Sequence, residues 1–356
     1  MANHHIIPVF VGSYADALEP GFYVCAFDTH RGTFELKQAI EGLHNPTFIA
    51  ADRANARVYV LSERLNDAGH RVGQATAFAF DSRTWRVEEI NTAATIPGST
   101  CHIAMDHTGS AVIVSSYHKG YLGISPIEQD GSIGTLQESH THQGSSVHPA
   151  QTQARVHSAC VDRNNTYVIV CDLGTDHLII YRLDAIHRTL VRHREVPVAA
   201  GAGPRHFTFH PTLPFGYVIN ELNATIIVFR YDEELGSLQE VQTVPTLPES
   251  YSALNACADI HVSPDGRFLY GSNRGHDSIV VYAVHVSEGT LTYVEHVPTG
   301  GGHPRNFALS PDGRFVLVAN RDGNHIVTFS RDVVTGRLIA TGDEFNVPKP
   351  VCITFF

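Results

Sequence analysis

The sequence lacks the short motifs that mark several large classes of enzyme. It contains no GxSxG nucleophile elbow, no GxxxxGKS/T phosphate loop and no complete GxGxxG. Its two glycine-rich stretches, GAGPRH from Gly201 and TGGGHPR from Thr299, each come before an apolar strand, so they indicate connections between strands. No HExxH is present, and no cysteines and histidines have the spacing of a zinc site. The sequence therefore requires neither a metal nor another cofactor.

Long apolar runs and an excess of positive charge are also missing. No stretch approaches a membrane span of about 18 consecutive apolar residues, and the first residues do not resemble a secretion signal. The net charge of −11 disfavours nucleic acid or a membrane as the main partner, but it allows a local basic pocket. The six cysteines form no CxxC pair, so we expect reduced thiols and a cytoplasmic protein. We attribute the 23 histidines to compositional bias, and nothing indicates the oligomeric state.

What the sequence does contain is a repeat. ADIHVSPDGRFLYGSNRGHDSIVVYAV from Ala258 and PRNFALSPDGRFVLVANRDGNHIVTFS from Pro304 share one pattern. Each begins with a short apolar strand and a Pro-Asp-Gly turn, in which proline presets φ and glycine accepts a positive φ. Two further strands of β-branched residues follow, and a hairpin leads to a fourth. The repeat unit is therefore a four-stranded antiparallel sheet.

The repeat recurs along the whole chain. Six complete copies begin near Pro46, Cys101, Val156, Pro204, Ala258 and Pro304. The tail from Pro350 matches only a first strand, and the head matches only the second to fourth strands. Paired together they complete another sheet and remove the open edges of a linear array. We therefore predict an all-β, seven-bladed β-propeller that forms a single domain over residues 1–356 and is closed by its C-terminal strand. A polar insertion over residues 128–153 either shapes a binding site or is a solvated loop.

Strand geometry predicts a polar site near the central channel. Consecutive strands are antiparallel, so the start of each first strand and the end of each second strand lie on the same face. The starts are His102, Val156, His157, Arg205, His206, Ala258, Asp259, Arg305 and Asn306, and the ends are Glu63, Ser116, Asp172, Glu221, Arg274 and Arg321. Converging histidines, arginines and carboxylates indicate a site for an anionic, hydrolysable small molecule. The alternative is that strand ends near solvent are polar without any function.

Four stretches, GPRHFTFHP, YVINEL, HSACVD and VCDLGTD, make the sequence resemble the lactonase family of seven-bladed propellers. That family includes bacterial 6-phosphogluconolactonases of the propeller type and the fungal carboxy-cis,cis-muconate cyclase. The resemblance covers nearly the whole chain and implies four catalytic residues, His157, Arg205, Glu221 and Arg274. His206, Asp172 and Asn273 neighbour the matching motifs, and we expect them either to support the catalytic residues or to contact substrate. We also expect Arg305 and Asn306 to contact substrate.

The resemblance implies hydrolysis of a sugar-acid lactone, with 6-phosphogluconolactone as the leading substrate and 6-phosphogluconate as its product. Glu221 or His157 would be the base, and Arg205 and Arg274 would hold an oxyanion or an anionic substituent. One alternative is a cycloisomerase that forms or opens a lactone of an unsaturated dicarboxylate. Another is a non-catalytic propeller that binds a protein or a small ligand.

Overall fold

The computed structural model describes residues 5–356, so residues 1–4 of the predicted domain lie outside it. The described chain consists of strands, turns and loops and contains no α-helix, and hence no helix that could cross a membrane. In chain order the strands are β1 Ile6–Ser13, β2 Phe22–Asp28, β3 Thr33–Ile40, β4 Ile49–Asp52, β5 Arg57–Leu65, β6 Arg71–Asp81, β7 Arg86–Pro97, β8 His102–Met105, β9 Ala111–Ser116, β10 Tyr121–Pro126, β11 Glu138–Thr141, β12 Val156–Val161, β13 Tyr167–Asp172, β14 His177–Asp184, β15 Thr189–Pro197, β16 Pro204–Phe209, β17 Phe215–Asn220, β18 Thr225–Asp232, β19 Ser237–Pro245, β20 Ala256–Val262, β21 Phe268–Arg274, β22 Ser278–Val284, β23 Leu291–Pro298, β24 Pro304–Leu309, β25 Phe315–Asn320, β26 His325–Arg331, β27 Leu338–Asn346 and β28 Pro350–Phe355.

These strands form seven antiparallel sheets of four strands, which confirms the predicted seven-bladed β-propeller. Blade one is β28-β1-β2-β3, and blades two to seven follow in chain order from β4 to β27. The first strands β28, β4, β8, β12, β16, β20 and β24 contact one another in a closed circle around the channel. The predicted closure is therefore present: β28 pairs with β1, and Val11 lies opposite Ile353 in the register.

The core lies between neighbouring blades. Side chains alternate along a strand, so each middle strand serves two layers of core. In β21, Leu269 packs into a cluster shared with blade five, and Tyr270 packs into a cluster shared with blade seven. The same alternation in β1 and β28 binds the closing blade to both of its neighbours. Apolar residues are thus needed on both faces of the inner strands, which explains why these segments read as continuous apolar runs.

A β-bulge interrupts the start of the first strand in several blades. In blade four the pairing passes from Val156 directly to Ser158, so the intervening His157 has no partner on β13. The corresponding extra residue is Arg205 in blade five and Arg305 in blade seven. A bulge bends the strand and re-aims the side chain of the extra residue. The fold therefore directs these three side chains out of the strand pairing at the end of the channel where the first strands begin.

Candidate active site

A cavity of about 1050 Å³ opens where the first strands begin and the second strands end. Two positions of the repeat supply much of its wall. The start ring, at the bulge or its equivalent on each first strand, consists of Thr47, Cys101, His157, Arg205, Ala258, Arg305 and Val351. The end ring, the repeat position equivalent to Glu221 where each second strand ends, consists of Tyr14, Glu63, Tyr117, Leu173, Glu221, Arg274 and Arg321. The predicted site residues His157, Glu221, Arg274 and Arg305 all line this cavity.

Asp172 occupies a different phase from the end ring. It is still paired with β12, so its side chain alternates away from that of the next residue, Leu173. One carboxylate oxygen lies 2.8 Å from Nδ1 of His142, and the other accepts the backbone N–H of Arg155 at 2.8 Å. Asp172 is 1% exposed and does not line the cavity. Its position, one residue before the end ring, does not support a substrate contact, and its hydrogen bonds support a role in anchoring the insertion.

Asn273 has the same phase as Asp172 and is also withdrawn from the cavity. It pairs with Cys257, and its side-chain amide donates to the carbonyl of Thr246 at 2.7 Å. Because Asn273 is fully buried with these partners, its contacts support a role in joining β21 to the connection from blade five. The substrate contact predicted for it is not supported by its position.

Glu221 and two arginines form the most compact charged group in the cavity. Oε2 of Glu221 lies 2.9 Å from Nε of Arg205 and 2.8 Å from Nη2 of Arg274. The contact with Arg205 is an ion pair whose angle is too poor for a directed hydrogen bond. Arg274 also donates to the carbonyls of Ala256 at 3.0 Å and Cys257 at 2.8 Å, which fixes its guanidinium plane.

The order from the cavity inwards distinguishes the two arginines. Arg274 and Glu221 reach the cavity wall, whereas Arg205 is 1% exposed and does not line it. Arg205 also donates to the carbonyl of Ala258. The structure therefore brings together the predicted Arg205, Glu221 and Arg274, with Arg205 behind the carboxylate rather than in front of it.

Electrostatics keep this group charged. Burial alone would raise the pKa of Glu221, but the guanidinium groups of Arg274 and Arg205 outweigh it and hold the pKa below its ordinary value. Burial, together with the charges of Arg274 and Arg305, lowers the pKa of Arg205 to about 9, so Arg205 is still a cation at neutral pH. Three arginines thus face one carboxylate, and the local charge is positive.

His157 provides an uncharged nitrogen beside these charges. It is 3% exposed, and its ring touches the cavity. Burial, followed by the positive charge of Arg205, holds its pKa well below the ordinary value. Its Nδ1 is buried without a hydrogen-bond partner among residues 5–356. The imidazole is therefore neutral at physiological pH and can accept a proton.

Arg305 is a half-buried cation available for a ligand. Within the described residues no carboxylate lies within 4.0 Å of its guanidinium group, which is half-buried above the ring of Tyr14 at 5.8 Å. An unpaired guanidinium at a cavity wall is suited to bidentate binding of phosphate or carboxylate.

The wall formed by blades one to three carries residues that the sequence did not identify as catalytic or substrate-binding. Glu63 forms an ion pair with Arg71 and accepts a hydrogen bond from the amide of Asn45 at 2.7 Å. Tyr14 and Tyr117 lie in the same wall. A signal for these residues was present, because Glu63, Tyr117, Glu221 and Arg274 each stand six positions after the first residue of their second strand. The same spacing of six residues from the start of β9 identifies Tyr117 as a cavity residue.

A ring of side chains separates this cavity from a second one below it. This floor ring, the residue after each start-ring position, consists of Phe48, His102, Ser158, His206, Asp259, Asn306 and Cys352. All of its members line a second cavity of about 430 Å³, and the two cavities share no lining residue. His206 and Asn306, predicted as substrate contacts, therefore lie at the lower cavity rather than the upper one.

The polar insertion lines neither cavity. It contains β11, the outer strand of blade three, and it is anchored by two buried side chains. Nε2 of His142 lies 2.8 Å from the hydroxyl of Tyr181, and Nε2 of Gln151 donates to the carbonyl of Leu173 at 2.8 Å. Of the two readings of this segment, the structure supports neither a binding loop nor a free solvated one. Over residues 5–356, no three histidine, cysteine or carboxylate side chains are grouped as metal ligands.

Comparisons with known proteins point in one direction. The family model described as "Lactonase, 7-bladed beta-propeller" matches residues 8–355. A 6-phosphogluconolactonase of Bacillus subtilis is 32% identical over 347 residues, covering 97% of each chain. One of Formosa agariphila is 35% identical over 339 residues, covering 93% of this chain and 94% of its own. The solved periplasmic gluconolactonase of Pseudomonas aeruginosa superposes with a TM-score of 0.92 at 31% identity, covering 98% of this chain and 99% of its own.

Proposed function

This chain belongs to the lactonase family of seven-bladed β-propellers, and we propose that it hydrolyses a sugar-acid lactone, with 6-phosphogluconolactone as substrate and 6-phosphogluconate as product. In chemical class it is a carboxylic ester hydrolase, because a lactone is an internal ester. The observation that carries the proposal is the local charge of the upper cavity. Arg205 and Arg274 contact the carboxylate of Glu221, and Arg305 lies in the same cavity wall without a carboxylate partner among the described residues, next to a neutral His157, in a protein whose net charge is −11.

In the proposed reaction one water adds across the ring ester. His157 accepts a proton from water as the water oxygen bonds to the lactone carbonyl carbon. Arg274 stabilises the oxyanion that develops on the carbonyl oxygen. The bond between the carbonyl carbon and the ring oxygen then breaks, and protonated His157 returns its proton to the departing ring oxygen. The product acid loses its own proton to solvent.

The geometry favours His157 over Glu221 as the base. Oε2 of Glu221 is occupied by two guanidinium groups, whereas the ring of His157 is neutral and has no ion-pair partner among the described residues. The role of Glu221 follows from its contacts, because it fixes Arg274 at the cavity wall. Arg205 supports Glu221 from behind, and Arg305 binds the anionic substituent of the substrate. We propose Asp172, Asn273, His206 and Asn306 as residues that support the site without touching the lactone.

The experiment compares two arginines of the same end ring. Arg274→Ala should reduce kcat for 6-phosphogluconolactone by about 10²–10³-fold, the usual loss when one oxyanion donor is removed. Arg321→Ala is the matched control, because Arg321 does not line the cavity and pairs with Asp322 at 2.6 Å. It should retain wild-type turnover. Rates are measured above the buffer blank at mildly acidic pH, since these lactones also hydrolyse spontaneously.

The same assay separates the other functions considered from the sequence. A cycloisomerase would turn over muconolactones and leave 6-phosphogluconolactone at the blank rate, and a non-catalytic propeller would leave both at the blank rate. Either result would refute the proposed hydrolysis. No feature of the cavity favours these functions over hydrolysis.

The cytoplasmic location stays a prediction. All six cysteines are free thiols, as expected for a reducing compartment. One solved relative is described as periplasmic, so location varies among similar proteins. Fractionation of the source cells tests the prediction directly.

A further inference from the structure

Below the proposed base lies a second histidine with an unusually complete set of partners on one side. Nδ1 of His206 is 2.8 Å from Oδ1 of Asp259. Asp259 also accepts hydrogen bonds from the side-chain amide of Asn306 at 2.5 Å and from Nε2 of His261 at 2.9 Å. Asp259 is 2% exposed, and the two neighbouring imidazoles hold its pKa well below the ordinary value against the opposing effect of burial. The carboxylate is therefore ionised and can only accept hydrogen bonds.

This arrangement determines where the proton of His206 resides. A carboxylate that only accepts hydrogen bonds requires a proton on Nδ1 of His206. Burial and the nearby Arg205 lower the pKa of His206 to about 4, so the ring is neutral and carries no second proton. Its Nε2 is consequently a bare lone pair, and this atom is buried with no hydrogen-bond partner within residues 5–356.

His157 lies next to His206 and also has a buried ring nitrogen without a partner among residues 5–356. Its ring centroid lies 5.1 Å from that of His206, at an interplanar angle of 62°. Its Nδ1 is also buried without a hydrogen-bond partner in the described chain. Each of the two neighbouring imidazoles thus has one buried nitrogen without a partner in the part of the chain described, and these two nitrogens are not in hydrogen-bond geometry with each other. A rotation of the His157 ring that brings them together would let a donor on one satisfy the acceptor on the other.

We propose that Asp259 and His206 are positioning residues for His157, in a chain Asp259–His206–His157 that places the proton of His157 on Nδ1 and leaves Nε2 as the lone pair facing the cavity. The inference rests on the proposed function for its catalytic consequence, because only Nε2 with a free lone pair can accept the proton of the attacking water. Its structural content, the tautomer of a buried histidine, stands independently of any substrate.

One competing neighbour has to be considered. The ring of His102 lies 5.6 Å from that of His206, and its Nδ1 accepts the backbone N–H of Ala159 at 3.5 Å. His102 therefore carries its proton on Nε2 and could approach the same lone pair of His206. The ring of His157 is closer, and its Nδ1 has no other partner, so we assign the lone pair to His157.

The kinetic experiment uses substitutions of His206 with opposite expectations. His206→Leu removes both hydrogen bonds and should lower kcat by about 10–100-fold, with KM changed less than about twofold, because substrate contacts are untouched. His206→Gln keeps a donor for Asp259 and an acceptor for His157, so it should restore most of the lost kcat. His102→Phe is the matched control on the same ring and should retain wild-type kcat.

Three outcomes of this kinetic experiment would contradict the proposal. A His206→Gln variant as slow as His206→Leu would overturn the proposal, and so would a His102→Phe variant that loses as much kcat as His206→Leu. A rise in KM without a fall in kcat would also overturn it, since that would make His206 a binding residue.

A second measurement keeps the proposal testable if the Leu variant does not fold. Wild-type protein with [15N]histidine is examined by long-range 1H–15N NMR, and the signals of His157 are assigned by their loss in His157→Gln. We expect a protonated Nδ1 and an unprotonated Nε2; the reverse tautomer would overturn the proposal. Because no substrate is present, this outcome does not depend on whether the protein hydrolyses lactones.

Discussion

Different side chains in this cavity carry the negative charge and accept the proton. Glu221 is held as an anion by two arginines, and His157 is held neutral by burial next to those same cations. The arginines therefore act twice, since they bind negative charge directly and keep the imidazole unprotonated. A base that remains neutral is ready to accept a proton over a wider range of pH than a histidine in water.

That lowered pKa predicts a particular pH dependence. A histidine with an ordinary pKa of about 6.5 would lose its basic form as the pH falls through that value. Burial and the charge of Arg205 move this loss of the basic form of His157 to more acidic pH. We expect kcat/KM for 6-phosphogluconolactone, corrected for the buffer blank, to be flat from about pH 6 to pH 8. A one-proton decrease centred near pH 6.5 would show that His157 is not the base.

Arg305 predicts which part of the substrate gives selectivity. Its guanidinium has no carboxylate partner in the described chain, so it is free to bind a phosphate. Arg305→Ala should raise KM for 6-phosphogluconolactone by about 10–100-fold, the effect of losing one charge-assisted contact. KM for unphosphorylated gluconolactone should change by less than about threefold. Equal changes for the two lactones would assign Arg305 to the lactone ring instead of the phosphate.

Among the elements, the bulges at the start of the first strands convert a repeated strand into a functional one. The extra residue escapes the pairing pattern, so its side chain can differ between blades without disturbing the sheet. His157, Arg205 and Arg305 all occupy this position. The paired residues of the strand are thus constrained by the sheet, whereas the unpaired bulge residue next to them is free to differ from blade to blade.

Side-chain orientation at the strand ends is also the part of the site that the sequence could not predict. The Pro-Asp-Gly turns and alternating strands were sufficient to predict four strands per blade and the pairing of β28 with β1. They could not give the phase at the end of a second strand, because one residue decides whether a side chain faces the cavity or the blade. Asp172 and Asn273 were assigned to the cavity for that reason. The depth of His206 below the cavity depends on packing around the channel, which no local pattern encodes.

The loop that follows β21 begins with a glycine directly after Arg274. Gly275 has φ of +114°, and an added Cβ would collide with the carbonyl oxygen of Leu254. Gly275→Ala should lower the free energy of unfolding by about 3 kcal/mol, measured by urea titration. Gly42→Ala is the control, because Gly42 has φ of +94° but open space around it, and it should cost about 1–2 kcal/mol. Equal losses would mean that strain in φ accounts for the whole effect.

For the whole molecule, closure of the ring joins segments from opposite ends of the sequence. β28 and β1 share a blade whose core clusters extend into both adjacent blades. We therefore propose that residues 1–356 form one domain that unfolds cooperatively. Its weakest point is the pairing of β28 with β1, because no peptide bond joins these two strands.

Substitutions on inner and outer strands test this cooperativity. Ile353 in β28 is 5% exposed, and Ile339 in β27 is 66% exposed. Ile353→Lys should lower the free energy of unfolding by more than about 3 kcal/mol, because it buries an unpaired charge, and Ile339→Lys should change it by less than about 0.5 kcal/mol. Scanning calorimetry should show one transition for the wild type and a single, lower transition for Ile353→Lys. Separate transitions for different blades would contradict a single domain.

The floor ring has a consequence for traffic through the molecule. A propeller is often pictured as a tube, but the upper and lower cavities here have no wall residue in common. We therefore expect a molecule bound in the upper cavity to enter and leave through the upper opening. Product and substrate thus occupy the same cavity and use the same opening. The reaction product is therefore expected to act as a competitive inhibitor.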